Sequence, residues 1–320
     1  MSVFSLEFFY AVAGVILGFV ALRSLVNRTA PQRWGTAAFW GLLATIYLFG
    51  KHIPPLVVGW LLLGIVVLAA LNQVGRPVEQ TTSAAEKVAS ADRLQNKLFL
   101  PALLIPGTAI LGTLLLDKVH WGSVWLLDPK LPTLAALGLG GLVAVFAALY
   151  LTQSSATMPL HEGSRLLHAI GWALILPQLL AALGGVFSTA GVGQVVAQLV
   201  AGVFPTEIPA VAVTVYCVGM ALFTICMGNA FAAFPVITLG IGLPLIVEEH
   251  RGNPAIMAAL GMLSGYCGTL VTPMAANFNI VPVMLLEIRD QNAVIKAQAP
   301  LAAVILLANI LLMNFCVFRF

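Results

Sequence analysis

Two short polar interruptions, each inside a long charge-free apolar stretch, could do chemistry. The first is Met227-Gly228-Asn229-Ala230-Phe231-Ala232-Ala233-Phe234-Pro235, in the middle of 208–247. The second is Tyr266-Cys267-Gly268-Thr269-Leu270-Val271-Thr272-Pro273-Met274-Ala275-Ala276-Asn277-Phe278-Asn279, in a stretch that carries no charge from 253 until Glu287. Pro273 has no N–H, and its ring frees the carbonyl one turn earlier, at Thr269. Gly228 and Gly268 permit the turns. Backbone broken at membrane depth is tolerated only where protein buries it or where it lines a wet cavity. Transporters exploit such breaks: half-helix N-termini face anionic groups, and freed carbonyls hold a coupling cation. The candidate substrate-binding residues are therefore Gly228, Asn229 and Ala230 with Cys267, Gly268, Thr269, Thr272, Pro273, Asn277 and Asn279. Asn229 would donate its amide to a carboxylate, as would backbone N–H groups near 229–231 and 274–277. Thr269, Thr272, Asn277 and Asn279 would line the site or hold a cation. The plainer alternative is a kink whose freed carbonyls are capped by polar side chains.

A second polar cluster runs from Thr152 through Gln153, Ser154, Ser155 and Thr157 to Pro159, His161, Glu162 and Arg165. His161-Glu162 resembles the start of H-E-x-x-H, but Arg165 stands where the second His is needed, which argues against a zincin site. Glu162 and Arg165, at i,i+3, are spaced for an ion pair, and His161 or Glu162 for a proton relay. No carboxylate lies at mid-membrane depth in 208–286. Cation coupling there would use carbonyl, amide and hydroxyl oxygens, which favours Na+ over H+. Cys217, Cys226, Cys267 and Cys316 sit in apolar runs without C-x-x-C spacing and read as small buried hydrophobes. No phosphate-binding G-x-x-x-x-G-K-[ST] and no haem or flavin signature occurs, so no catalytic residue, metal site or resident cofactor is expected.

The elements that must position these residues follow from composition. Of 320 residues, 60% are hydrophobic and 8% charged, with a mean hydropathy of +1.01. Soluble domains are roughly a quarter charged, so a soluble enzyme, a nucleic-acid binder and a disordered chain are all excluded, and the solvent is a lipid bilayer. A spanning helix needs about 20 apolar residues. The apolar runs predict helices over 4–23, 34–50, 53–72, 98–116, 131–151 and 166–187. The first lacks a basic leader and reads as a retained helix rather than a signal peptide. A polar cytoplasmic loop at 73–97 separates the third from the fourth. It reads mainly as a solvated connector, although Glu86 and Arg93 lie two turns apart on one potential helical face.

The remainder differs. Residues 191–204 are too short to span and read as an interfacial helix. Then come a re-entrant hairpin at 208–247, a broken helix at 253–288 and a last helix at 298–318. The expected fold is an all-α polytopic membrane protein with about eight transmembrane helices plus the hairpin and one broken helix. It divides into an N-terminal six-helix region, 1–187, and a transport-type half-repeat, 188–320. With both termini outside, the inner loops hold ten basic residues, among them Arg23, Arg28, Arg33, Arg76, Arg165 and Lys296. The outer side holds five: Lys51, Lys118, Lys130, Arg251 and Arg319. That is the direction the positive-inside bias requires.

On these residues the region from Leu183 to Phe318 resembles one half of an ion-transporter-superfamily carrier, the group that includes divalent-anion/sodium symporters and gluconate and citrate permeases. Asn229 takes the Asn place of the hairpin tip, with Gly228 and Ala230 where the superfamily has Ser and Thr. Thr272-Pro273 and Asn277 or Asn279 match the broken-helix loop. The whole chain resembles more closely a bacterial membrane-protein family, domain-of-unknown-function family 979, most tellingly at Gly228–Pro235 and Gly265–Asn279. That resemblance implies one subunit of a two-subunit permease of the bacterial inner membrane. Its partner is a second, shorter membrane protein, and the pair is assigned to 5-oxoproline uptake. A complete carrier of this type has two inverted repeats, and this chain shows one clear set, so a second subunit or a homodimer would supply the other half. The rival readings are a membrane-embedded enzyme using His161, Glu162, His168 or Cys267, and a non-transporting scaffold subunit. Gly261 and Gly265 form a G-x-x-x-G suited to close helix contact.

Overall fold

The computed structural model describes residues 2–27, 32–75, 83–116 and 118–319. Arg28, Arg76 and Glu79 lie outside these residues. The chain divides into two compact units, Met1–Gly171 and Trp172–Phe320.

The first unit holds α1 (Leu6–Val26), α2 (Arg33–Phe49), α3 (Pro55–Ala70), α4 (Ala84–Leu94), α5 (Phe99–Leu111, continued as a π-helix over Gly112–Leu116), α6 (Pro132–Thr152) and α7 (Met158–Ile170). Ser5 caps α1 by accepting a hydrogen bond from Phe8 N–H. Prolines in the first turn start α3, α6 and α7, where their missing N–H costs nothing. α1 and α2 approach closely because Gly14 has no side chain: a Cβ there would lie 2.6 Å from Leu48 Cγ. Leu17, Val20, Phe39, Trp40 and Leu43 form the buried seam. α5 and α6 meet in the same way at Gly140, whose Cβ would lie 2.7 Å from the Ile105 carbonyl oxygen.

Two features of this unit differ from expectation. A small sheet joins the N-terminal strand β1 (Ser2–Phe4) in parallel to β3 (Val124–Leu127), which pairs antiparallel with β2 (His120–Trp121). The single helix expected over 166–187 is instead interrupted, because Gly171 takes φ +57°, outside the right-handed helical region.

The expected connector also contains a structured helix. Ser83 and Glu86 form a reciprocal capping box at the start of α4: Glu86 N–H donates to Ser83 Oγ at 3.2 Å, and Ser83 N–H donates to Glu86 Oε2 at 3.0 Å. The Ser83 hydroxyl and N–H hold the Glu86 carboxyl below its ordinary range. A carboxylate held low adds protection that is complete above the ordinary glutamate range and is lost as pH falls through the lowered value. After correction for the intrinsic exchange rate, amides across 84–94 are therefore expected to lose protection on acidification, and Glu86→Gln to remove that pH dependence.

The second unit holds α8 (Leu176–Thr189), α9 (Val192–Val203), α10 (Pro209–Met227), α11 (Ala230–Ile237, continued as a π-helix over Thr238–Glu249), α12 (Pro254–Thr269), α13 (Ala276–Leu285) and α14 (Ala293–Cys316). The expected boundary at 187/188 falls near the end of α8. α14 starts five residues before the expected 298. The core of this unit gathers Tyr216, Met220, Ile237, Ile241, Met257 and Met313. α12 turns its glycines onto α10: Cβ atoms at Gly261 and Gly265 would lie 2.6 Å from Tyr216 Cε1 and 2.9 Å from Met220 Cε. This is the small-residue contact that the G-x-x-x-G spacing suggested.

Among the described residues, seven helical stretches are long and apolar enough to cross a membrane, and Pro55–Ala70 and Ala276–Leu285 are shorter apolar helices. The protein is a multi-pass, helical membrane protein. Both arms of the 208–247 stretch are among the seven, and they are the most enclosed, with 44% and 56% of an 18-residue window buried against 6% for Val88–Leu116. The pair therefore sits at the centre of its unit rather than at its rim.

Candidate functional site

Both expected interruptions are present, and they touch. α10 ends where Gly228 N–H donates to the Thr224 carbonyl at 2.7 Å, and Gly228 takes φ +66°. Asn229 is extended, and its Oδ1 accepts from Phe231 N–H at 2.9 Å, which caps α11. The reversal thus needs a left-handed glycine followed by a capping side chain, the order the sequence supplies.

In the second break, α12 stops at Thr269 and α13 starts at Ala276. Pro273 cannot donate to the Thr269 carbonyl, and Asn279 takes its place. Asn279 Nδ2 donates to the carbonyls of Thr269 at 2.8 Å and Thr272 at 2.7 Å. Thr272 Oγ donates to the Ile225 carbonyl at 2.8 Å, tying this loop to the last turn of α10. Thr272 Oγ also accepts from Met274 N–H at 3.2 Å.

The two loops meet at Gly228. A Cβ there would lie 2.6 Å from both the carbonyl carbon and the carbonyl oxygen of Met274. The starts of α11 and α13, with their partially positive N–H ends, flank this contact.

Burial sorts the ten sequence-derived residues. Gly228, Ala230, Cys267, Gly268, Thr269, Thr272 and Asn279 are buried; Asn229 is half-buried; Pro273 and Asn277 are exposed. Ala230 packs on α12 at Gly265 and Gly268 on α10 at Ala221. Cys267 Sγ donates to the Leu263 carbonyl at 3.4 Å and accepts from Asn309 Nδ2 at 3.9 Å, so it belongs to the helix core. Asn229, Pro273 and Asn277 are thus the members open to a ligand, beside the exposed side chains of Phe231, Met274 and Phe278.

Sequence reasoning passed over Thr224 and took Met274 only as a backbone N–H donor, which in the structure is given to Thr272 Oγ. Thr224 sits one turn before the break, and that spacing was the available signal. Its hydroxyl oxygen and Asn279 Oδ1 are both buried with no hydrogen-bond partner among the described residues. Buried polar atoms normally have partners, so these two are the polar atoms left open beside the breaks.

The other candidates lie in the first unit. Glu162 Oε2 accepts from Arg165 Nε at 2.7 Å, as the i,i+3 spacing suggests. His168 is buried. No group of three or more His, Cys, Asp or Glu suited to a metal occurs among the described residues. Cys217 and Cys267 are buried as expected, whereas Cys226 is exposed on an apolar helix face and Cys316 is half-buried. An apolar neighbourhood in sequence does not distinguish the core from a lipid-facing surface, because both favour the same residues.

A family model described as "Protein of unknown function (DUF979)" matches residues 7–318. The chain belongs to this family. The match covers nearly the whole chain, so both interruptions and the polar cluster of the first unit are within it. No curated protein and no solved structure matches the chain.

Proposed function

We propose that this DUF979-family protein is a subunit of a secondary active transporter for a small organic anion, with 5-oxoproline the leading substrate, working by alternating access. One observation carries the reading: two helix breaks, some 40 residues apart in sequence, pack backbone to backbone at Gly228 and Met274. A kink needed only for shape would have no reason to seek a second kink. Two paired breaks bring two helix N-termini together, which is how a carboxylate is bound without a buried cationic side chain.

The substrate carboxylate sits by Asn229 and Asn277, with Pro273 and Met274 on the loop between them. Asn279 and Thr272 brace that loop from beneath. The unpartnered oxygens of Asn279 and Thr224 are of the kind that hard cations accept, which supports Na+ as coupling ion. The stretch 208–247 enters and leaves on one side in this reading, and both termini lie outside the bacterial inner membrane. The missing half of the site comes from a second, shorter membrane subunit, with a second copy of this chain as the alternative. No catalytic residue, resident cofactor or nucleic acid enters this reading.

The test is reconstitution with and without the adjacently encoded membrane protein, followed by uptake of labelled small carboxylic acids in sodium and sodium-free buffer. Uptake that needs both proteins and sodium is expected; substrate turnover without flux would replace the carrier with an enzyme. Asn229→Ala and Asn277→Ala are each expected to lower uptake at least about tenfold, equivalent to about 1.4 kcal/mol, with normal membrane insertion. Wild-type rates in both would remove the site assignment.

A further inference from the structure

The last two turns of α6 and the first turn of α7 border a groove of about 200 Å3, wholly within the first unit. Val145, Ala148 and Leu149 of α6 and Met158 of α7 give it an apolar wall. Hydrogen bonds hold that wall in place. The chain reverses after α6 because Gln153 takes φ +54°, and the Gln153 amide donates to the Tyr150 carbonyl at 2.7 Å. Thr152 Oγ donates to the Ala148 carbonyl at 2.7 Å.

A cation is held beside the groove. Arg93 Nη2 donates at 3.4 Å to the carbonyl of Thr152, itself a lining residue. Arg93 is exposed, but the next residue, Leu94, is buried. The Ser83–Glu86 box fixes the other end of α4. The helix therefore presents the guanidinium at the end of α6 instead of letting it range over the surface. A guanidinium has five N–H donors in one plane, and one long bond to a carbonyl leaves most of that plane facing outward.

The neighbouring carboxylates do not compete for it. Glu162 lines the groove, and its Oε2 accepts from Arg165 Nε at 2.7 Å. Asp92 adjoins Arg93 in sequence, and adjacent helical residues do not face each other. Glu86 is engaged by Ser83.

We propose that this groove binds an anionic phospholipid, with the upper part of one acyl chain between α6 and α7 and the phosphate at Arg93. The two parts of the groove call for two parts of one molecule. An apolar wall on a membrane protein takes hydrocarbon, and a guanidinium beside it takes a charged acceptor. A phosphodiester brings acceptor oxygens and no donor, which suits the planar N–H pairs of arginine. A soluble anion would leave the apolar wall unfilled. Phosphatidylcholine has the same phosphate but carries its own cation, so it gains less from Arg93. Basic pockets between transmembrane helices are a recurrent means of holding acidic headgroups. The site asks nothing of the carrier reading, whose residues all lie in the second unit.

Native mass spectrometry of the full chain tests it, with phosphatidylglycerol, phosphatidylcholine of the same acyl chains and inorganic phosphate as probes. Phosphatidylglycerol is expected to bind about tenfold more tightly than phosphatidylcholine, the scale of one hydrogen bond to a charged group. Inorganic phosphate is expected not to bind. Arg93→Gln removes the charge at an exposed position while keeping a donor for the Thr152 carbonyl, and is expected to erase the difference between the two lipids. Val145→Phe fills the groove from a position that is 41% exposed, and is expected to weaken both lipids alike. Lys130→Gln removes an exposed cation next to the opposite end of α6, and is expected to change nothing. Phosphatidylglycerol with a photoreactive acyl chain is expected to label 145–162 of the unaltered protein. Equal affinity for the two lipids, a preference that survives in Arg93→Gln or disappears equally in Lys130→Gln, phosphate binding as tightly as lipid, or labelling confined to other segments would each overturn the proposal. Uptake is not part of the readout, so failure here leaves the carrier reading standing.

Discussion

Asn279→Ala will unfold the second break and abolish uptake together. The amide of Asn279 gives both its hydrogens to backbone carbonyls, Thr269 at 2.8 Å and Thr272 at 2.7 Å, in a position with 0% exposure. The Thr269 carbonyl has no helical donor, because Pro273 stands where that donor would be, whereas the Thr272 carbonyl also accepts from Ala275 N–H at 3.3 Å. Alanine would strand the Thr269 carbonyl and leave Thr272 with its longer bond from Ala275 alone, in a medium that offers no replacement. A stranded buried group costs about 1–3 kcal/mol, a large share of what holds any fold together. Asn279→Asp will do at least as much damage, since an ionised carboxylate points oxygens at the same carbonyls. Asn277→Ala is the informative contrast. Asn277 is exposed, so its loss will spare the thermal midpoint of the purified protein while reducing uptake. Thermal midpoints of the three variants beside their uptake rates separate a brace from a ligand-facing group. An unchanged midpoint in Asn279→Ala would defeat the bracing role.

That contrast also shows where sequence stopped informing the site. Asn277 and Asn279 were equivalent candidates because both follow Thr272-Pro273 closely. Residues two apart on a helix point to nearly opposite sides. Once α13 begins at Ala276, one of the two must face inward and the other outward. No composition rule says which; the packing of α13 does. The breaks themselves were legible, because a glycine before a capping Asn and a Thr-Pro pair followed by two asparagines have few other uses in apolar sequence. Their mutual contact was not, since it depends on how α10 and α12 pack. The glycine spacing in α12 pointed to a close partner without naming it.

The same limit explains the fold-level differences. Long apolar runs fixed most helices to within a few residues, as bilayer thickness leaves little choice of length. The strand β1 is three residues long and pairs with a strand about 120 residues later. So short a strand carries no readable alternation, and so distant a partner leaves no local trace. Gly171 looked like an ordinary glycine inside an apolar stretch, because a glycine is compatible with helix and with φ above zero alike. α4 was the reverse case: Glu86 and Arg93 on one potential helical face pointed to a helix against the polarity around them, and the Ser83–Glu86 box that starts it was not read from the sequence.

Gly228→Ala will have the second large effect, for two separable reasons. At φ +66° an L-residue with a Cβ pays about 1–2 kcal/mol for the left-handed conformation. The added methyl would also sit 2.6 Å from the carbonyl carbon and oxygen of Met274, which are backbone atoms and cannot rotate aside. The loops must therefore move apart, and the Thr272–Ile225 hydrogen bond, which links the same two segments at 2.8 Å, goes with them. Uptake is expected to fall to background. Gly228→Asn distinguishes the two reasons. Asparagine tolerates the left-handed region far better than other residues with a Cβ, so it would restore activity if backbone conformation alone mattered. The contact with Met274 predicts that it will not, because any Cβ meets the same carbonyl. Gly202→Ala supplies the control: nothing lies within 4 Å of a Cβ there, and in the last turn of α9 it will be close to neutral. Full uptake in Gly228→Asn would mean that the two breaks need not touch, and the reading of them as halves of one site would lose its support.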